Sequence, residues 1–203
     1  SQNRYPVIAF LEQHIHQIIV PHMTVGEILY YAFRFKNHGK TKFLEEHMHN
    51  TIDELLLDRA ILSRPFGKCS GGEQKRVAIA QELMSLVKPS LLLDEPTTGL
   101  DSNSALVVMQ TLKHLSQHYR MGIVLTIHQP NDDMLNLFDQ LYILAMGGVC
   151  IYSGHPSLLQ CNLEHFTNLK TEDEDDKPPI EEYLKIACRG KRIIRFGLYE
   201  EEK

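Results

Sequence analysis

One stretch constrains the fold more than any other. It runs from Cys69 to Asp101, CSGGEQKRVAIAQELMSLVKPSLLLDEPTTGLD. Two devices lie in it, about twenty residues apart. The first is Ser70-Gly71-Gly72-Glu73, small residues followed by a charged helical run. A glycine turn that opens a helix presents unpaired backbone N–H groups at the positive end of the helix dipole, which suits phosphate. The Ser70 hydroxyl adds a donor. The second device is Leu91-Leu92-Leu93 running into Asp94-Glu95-Pro96. A short run apolar on both faces predicts a strand inside a parallel sheet covered on both sides.

Successive side chains on a strand point to opposite faces, so the two carboxylates can do different jobs. Asp94 suits Mg²⁺, directly or through a water. Glu95 suits a general base for an attacking water. A Ser-Gly-Gly turn alone is an ordinary turn, and Asp-Glu-Pro alone is an ordinary loop start. Together, in this order, they point to nucleotide hydrolysis. Asp101 opens the next helix, where Asp is a good N-cap; a nucleotide contact is compatible with that.

The flanking chain predicts an α/β domain. Pro6 to Leu11 (PVIAFL) reads as a buried strand. Thr24-Val25-Gly26-Glu27 has the form of a capping box. Behind it, Val25, Ile28, Leu29, Ala32 and Phe33 recur at helical spacing. Phe43, Leu44, Met48, Ile52, Leu55 and Leu56 mark a second helix. A third starts near Gly72 and carries Val77, Ala80, Leu83, Met84 and Val87. Ser102 to Tyr119 is helical, with Ala105, Leu106, Met109, Leu112 and Leu115 on one stripe. Ile123 to Ile127 is the next buried strand and ends at His128. A short helix over Asp132 to Phe138 follows. Leu141 to Ala145 and Val149 to Tyr152 then form a hairpin, with a helix over Pro156 to Phe166 behind it.

Parallel strands place their C-terminal ends on one edge, where ligands bind. His128 belongs to that edge and could hydrogen-bond a terminal phosphate. Gln13, after the first strand, belongs there too. Its amide oxygen could ligate Mg²⁺ or hold water, with Gln17 as the alternative. Glu172 to Asp176 (EDEDD) and Pro178-Pro179 mark a boundary. Residues 1–168 then form one domain, with a helical part over about 14–88. Residues 169–203 form an acidic linker and connecting segment.

Composition excludes several classes. The net charge is −5, which argues against nucleic acid as a non-specific partner. No apolar run approaches the ~18 residues that cross a bilayer. The four cysteines form no close pair, so neither a disulfide framework nor a zinc knuckle is indicated.

As a set, these motifs resemble the ATP-binding domain of ABC transporters. CSGGEQKR is similar to the family signature, LLLDEP to its Walker B strand and TGLD to its D-loop. His128 is similar to the switch histidine and Gln13 to the Q-loop glutamine. TVGE, TIHQP, LFDQLYILAMGGVCIYSG and PIEEYLKIACRG resemble the white/eye-pigment half-transporters of subfamily G. The resemblance implies a P-loop NTPase core, RecA-like and partial, with a helical signature subdomain. It implies ATP and Mg²⁺ as ligands, and a head-to-tail dimer with a second ATP-binding domain. It also implies a transmembrane domain in the parent chain and a membrane location, with the ATP-binding domain on the cytosolic face. Asp94 and Gln13 would meet the metal, and Glu95 and His128 would serve catalysis. Ser70, Gly71, Gly72, Glu73, Asp101 and Gln13 would touch nucleotide. Export of a lipid or sterol fits the insect members of the subfamily.

One departure from the family pattern matters: G-x-x-x-x-G-K-S/T, the loop that cradles phosphates, does not occur in the 203 residues. The expectation is a chain truncated at its N-terminus, before or at the Q-loop strand, inactive alone and active within its parent. The alternatives are a non-hydrolytic subunit that completes a partner's site and a soluble ABC-type ATPase.

Overall fold

A computed structural model describes residues 7–13, 19–128, 130–144, 148–159 and 161–162. The chain divides into two compact units, Ser1–Gln129 and Pro130–Lys203. The expected boundary near residue 168, the acidic run 172–176 and Gln17 lie outside the described residues.

The first unit is built on three parallel strands, β1 (Ile8–Leu11), β2 (Ser90–Leu93) and β3 (Ile123–Leu125), in the order β1-β2-β3. Leu11 pairs with Leu93 and Leu93 with Leu125. All three strands therefore end level with one another. The ladder continues one step: Asp94 donates its N–H to Leu11 O (2.9 Å), and Thr126 to Leu93 O (3.0 Å). This register places Gln13, Asp94-Glu95 and His128 on one edge.

The helical part begins at α1 (Val25–Lys36), whose capping box is present as expected. Thr24 accepts from Glu27 N, and Glu27 accepts from Thr24 N at 2.8 Å. All five residues of the predicted apolar stripe are buried. Gly26 is needed for close approach, since a Cβ there would stand 2.9 Å from Leu62 O. α2 (Leu44–Glu54) and α3 (Gly71–Leu83) complete the layer, with 3₁₀ turns at Arg59–Ser63 and Phe66–Lys68 between them. α1 packs on α2 and α3 around Phe33, Ile52, Leu55, Ile61 and Phe66. Full burial of each such side chain is worth about 1.5–3 kcal/mol. Asn37 ties the ends of two helices together. Its Nδ2 donates to Phe33 O and Met84 O, and its Oδ1 accepts from Leu86 N. α4 (Ser102–Tyr119) packs against α3.

Three packing expectations need correction. Among the described residues, the sheet is covered on one face only. Ala9, Leu11, Leu91 and Leu93 are buried, whereas Ile8, Phe10, Leu92 and Val124 are exposed. α3 packs against β1 on the buried side, and no described element covers the other. β3 is accordingly an outer strand of the described sheet, and it stops at Leu125, short of Ile127. Phe43 and Leu56 are exposed, not part of the α2 stripe. Both have left-handed backbones (φ 68° and 54°), which turn the chain out of the helix at its two ends. Val87 lies beyond the end of α3 and is exposed.

The second unit holds α5 (Asp132–Leu135) and an antiparallel hairpin, β4 (Leu141–Leu144) with β5 (Cys150–Gly154). Leu135, Leu141, Tyr152 and Leu159 form its core. The expected helix from Pro156 begins as a 3₁₀ turn over Pro156–Leu158, and its end lies outside the described residues.

Candidate functional site

The C-terminal edge of the sheet carries a connected polar cluster centred on Glu95. Glu95 has a positive φ of 45°, a conformation that costs a non-glycine residue about 1–2 kcal/mol. Its backbone is held there by Thr126, whose hydroxyl accepts the Glu95 N–H at 2.9 Å. The same hydroxyl donates to Asp94 Oδ1 at 2.7 Å. One threonine at the end of β3 thus holds the Asp94 carboxylate and the Glu95 backbone.

Three donors meet the Glu95 carboxylate. Gln13 Nε2 donates to Oε2 at 2.7 Å. Thr98 Oγ1 donates to the same oxygen at 2.8 Å. His128 Nε2 lies 2.9 Å from Oε1. A carboxylate only accepts, so these contacts assign the Gln13 amide orientation and place a proton on His128 Nε2. The Gln13 side-chain oxygen is left as an acceptor directed elsewhere. Glu95 is mostly buried, while His128 is exposed. The structure therefore brings together four sequence-predicted residues, Gln13, Asp94, Glu95 and His128.

The Ser70 turn is separate from this cluster. Ser70 caps α3 in a second capping box: its Oγ accepts from Glu73 N (3.3 Å), and Glu73 Oε2 accepts from Ser70 N (2.7 Å). Glu73 also receives Arg64 at 3.0 Å. Burial raises the Glu73 pKa, but the Ser70 and Arg64 contacts outweigh it and leave the value lowered. Glu73 is committed to holding the turn. Ser70 and Gly71 are exposed, and Gly72 is buried. A Cβ on Gly71 would come within 3.1 Å of Leu100 Cδ2, and one on Gly72 within 3.4 Å of Ser104 Cβ. The N-termini of α3 and α4 are therefore neighbours. Asp101 caps α4, accepting from Ser104 N at 3.0 Å and from Ser104 Oγ at 2.7 Å. The N-cap expected for Asp101 is present.

Comparison with known proteins bears on the family of the chain. Residues 2–98 match the ABC transporter family. The chain belongs to the ABC transporter family. An ABC transporter G family member 14 of Arabidopsis thaliana is 38% identical over 159 residues, 75% of this chain and 24% of the relative. The G family member 22 of Dictyostelium discoideum is 32% identical, over 82% of this chain and 28% of that protein. A broad substrate specificity ATP-binding cassette transporter of Rattus norvegicus is 36% identical, over 91% of this chain and 28% of the relative. The chain spans about a quarter of the length of these ABC transporters. It is a nucleotide-binding domain of the G-family type, with the P-loop NTPase fold expected from its motifs. Among the described residues no helix is long and apolar enough to cross a membrane.

Three participants are not singled out by the sequence. Thr98 and Thr126 each donate to one of the paired carboxylates. Lys75, buried on α3, donates from Nζ to Gln13 O at 2.9 Å. Thr98 and Thr126 do lie inside the motifs TTGLD and TIHQP, and Lys75 lies in CSGGEQKR. Position in a motif is the only signal that marks them.

Proposed function

We propose that this chain is part of the nucleotide-binding domain of a G-family half-transporter, which couples ATP binding and hydrolysis to transmembrane export. The observation that carries the proposal is the Gln13–Glu95–His128 cluster, held on the edge where parallel strands bind ligands.

Glu95 is the general base for the attacking water. Its three donors fix the carboxylate in one orientation, so it need not reorganise when the proton moves. His128 keeps Nε2–H on Glu95 and presents its exposed ring toward solvent, where a terminal phosphate would arrive. The donor set suits Mg²⁺, which takes oxygen ligands and is held by one or two carboxylates plus substrate phosphates. Asp94 and the Gln13 side-chain oxygen are such ligands, and Thr126 holds Asp94 in place. Bound there, Mg²⁺ would neutralise charge on the transferring phosphoryl group.

Ser70, Gly71 and Gly72 serve a different nucleotide, the one bound by a second ATP-binding domain. Their exposed helix N-terminus suits its phosphates. Asp101 lies beside them at the start of α4. The stretch from Ser70 to Asp101 would thus contribute to two sites. Coupling to a transmembrane domain of the natural protein follows, with export of a lipid or sterol as the work done.

Hydrolysis by the full-length natural protein in lipid vesicles tests this reading. Mg²⁺-dependent ATP turnover, raised by the transported lipid, is expected. The 203-residue chain alone should bind ATP weakly, because it lacks G-x-x-x-x-G-K-S/T. No turnover by the natural protein would overturn the proposal, as would normal turnover by these 203 residues alone.

A further inference from the structure

Lys75 is only 7% exposed. Burying an ammonium costs several kcal/mol unless partners compensate. Burial lowers the Lys75 pKa, and the negative field of Glu95 opposes that shift. Its Nζ donates to Gln13 O at 2.9 Å. Gln13 then donates its side-chain amide to Glu95 at 2.7 Å. Two hydrogen bonds therefore connect α3 to the Glu95 carboxylate. The same helix begins at the Ser70-Gly71-Gly72 turn, little more than one turn before Lys75. A helix transmits displacement along its axis over so short a span. A shift of about 1 Å at Lys75 would carry a 2.9 Å contact beyond the range of a hydrogen bond.

We propose that Lys75 is a positioning residue that couples the two half-sites of this chain. When the α3 N-terminus engages the second domain's nucleotide, Lys75 draws on the Gln13 peptide. That sets how Gln13 holds Glu95 against the chain's own nucleotide. Coupling of this kind is reciprocal for binding, so occupancy at Glu95 also biases the Ser70 turn. The inference rests on the two-site reading proposed above.

The test is steady-state ATP hydrolysis by the full-length natural protein. Lys75→Met, Lys75→Gln, Lys75→Arg and Gln13→Ala are compared, with Lys75→Met also made in the Gln13→Ala background. Removing the coupling should lower kcat about tenfold, while KM changes less than about twofold. Lys75→Arg should restore most of kcat. In the Gln13→Ala background, Lys75→Met should cause little further loss, because the path is already cut. Unchanged kcat in Lys75→Met would overturn the proposal, as would fully additive losses in the double variant. If Lys75→Met fails to fold, Lys75→Gln carries the same comparison. An inactive wild-type protein would instead count against the hydrolytic reading, and the inference would fall with it.

Discussion

Gln13 and Glu95 are 82 positions apart in the chain and 2.7 Å apart in space. The contact joins the end of β1 to the end of β2, so it depends on the parallel register of the sheet. It also leaves the Gln13 oxygen as the acceptor that a metal or water could use. His128 completes the arrangement from β3. Each strand of the described sheet thus contributes one member.

His128→Ala should lower kcat by about 10²-fold, the lower end of the range for a positioned acid–base group. Thermal stability should change little, because the ring is exposed. Turnover and melting temperature, measured on the same preparations, check this. Equal kcat in the two proteins would remove His128 from the site.

Asp101 predicts a specific dependence on pH. The Ser104 N–H and hydroxyl hold its carboxyl below the ordinary value of 3.8. A depressed carboxylate contributes stability above its unfolded pKa and loses it as pH falls through the folded value. Asp101→Asn keeps a capping side chain but not the charge. Its melting temperature should lie below wild type at pH 7, and the difference should close below about pH 3.8. Melting followed by circular dichroism from pH 7 to 2 checks it. A constant difference would contradict this role for the charge.

Tyr119 and Glu54 hold the helical part to the body. The Tyr119 hydroxyl donates to Glu54 Oε1, joining α4 to the C-terminal end of α2. Burial, reinforced by Glu54, pushes the Tyr119 hydroxyl well above its ordinary value, so it stays a donor across the neutral range. Glu54 Oε2 is buried without a partner among the described residues. Tyr119→Phe should therefore destabilise the protein by about 1–3 kcal/mol, the cost of a lost bond to a partly buried charged group. Denaturant unfolding measures this; a change below about 0.5 kcal/mol would contradict it.

Local signals make much of this fold legible in the residues themselves. The capping box at Thr24 depends on residues three apart, and it is present. The α1 stripe follows helical periodicity, and all five members are buried. The shared strand edge follows from parallel order, which brings Gln13, Asp94, Glu95 and His128 together. Features set by distant partners are not legible in this way. Lys75 meets Gln13 across 62 positions and Thr126 meets Asp94 across 32. Apart from their place in a motif, nothing in the surrounding pattern distinguishes these side chains from solvated ones. The open sheet face escapes the sequence for a related reason. Leu92 is apolar, but its burial depends on what covers it, and periodicity does not report that.

The function proposed for this site turns on Glu95 activating the water that attacks ATP. The direct measurement is Glu95→Gln in the full-length natural protein, reading turnover and retained nucleotide together. Turnover should fall at least about 10²-fold, with ATP still bound, because the amide keeps the shape of the site but cannot take the proton. Turnover equal to wild type would show that Glu95 is not the base.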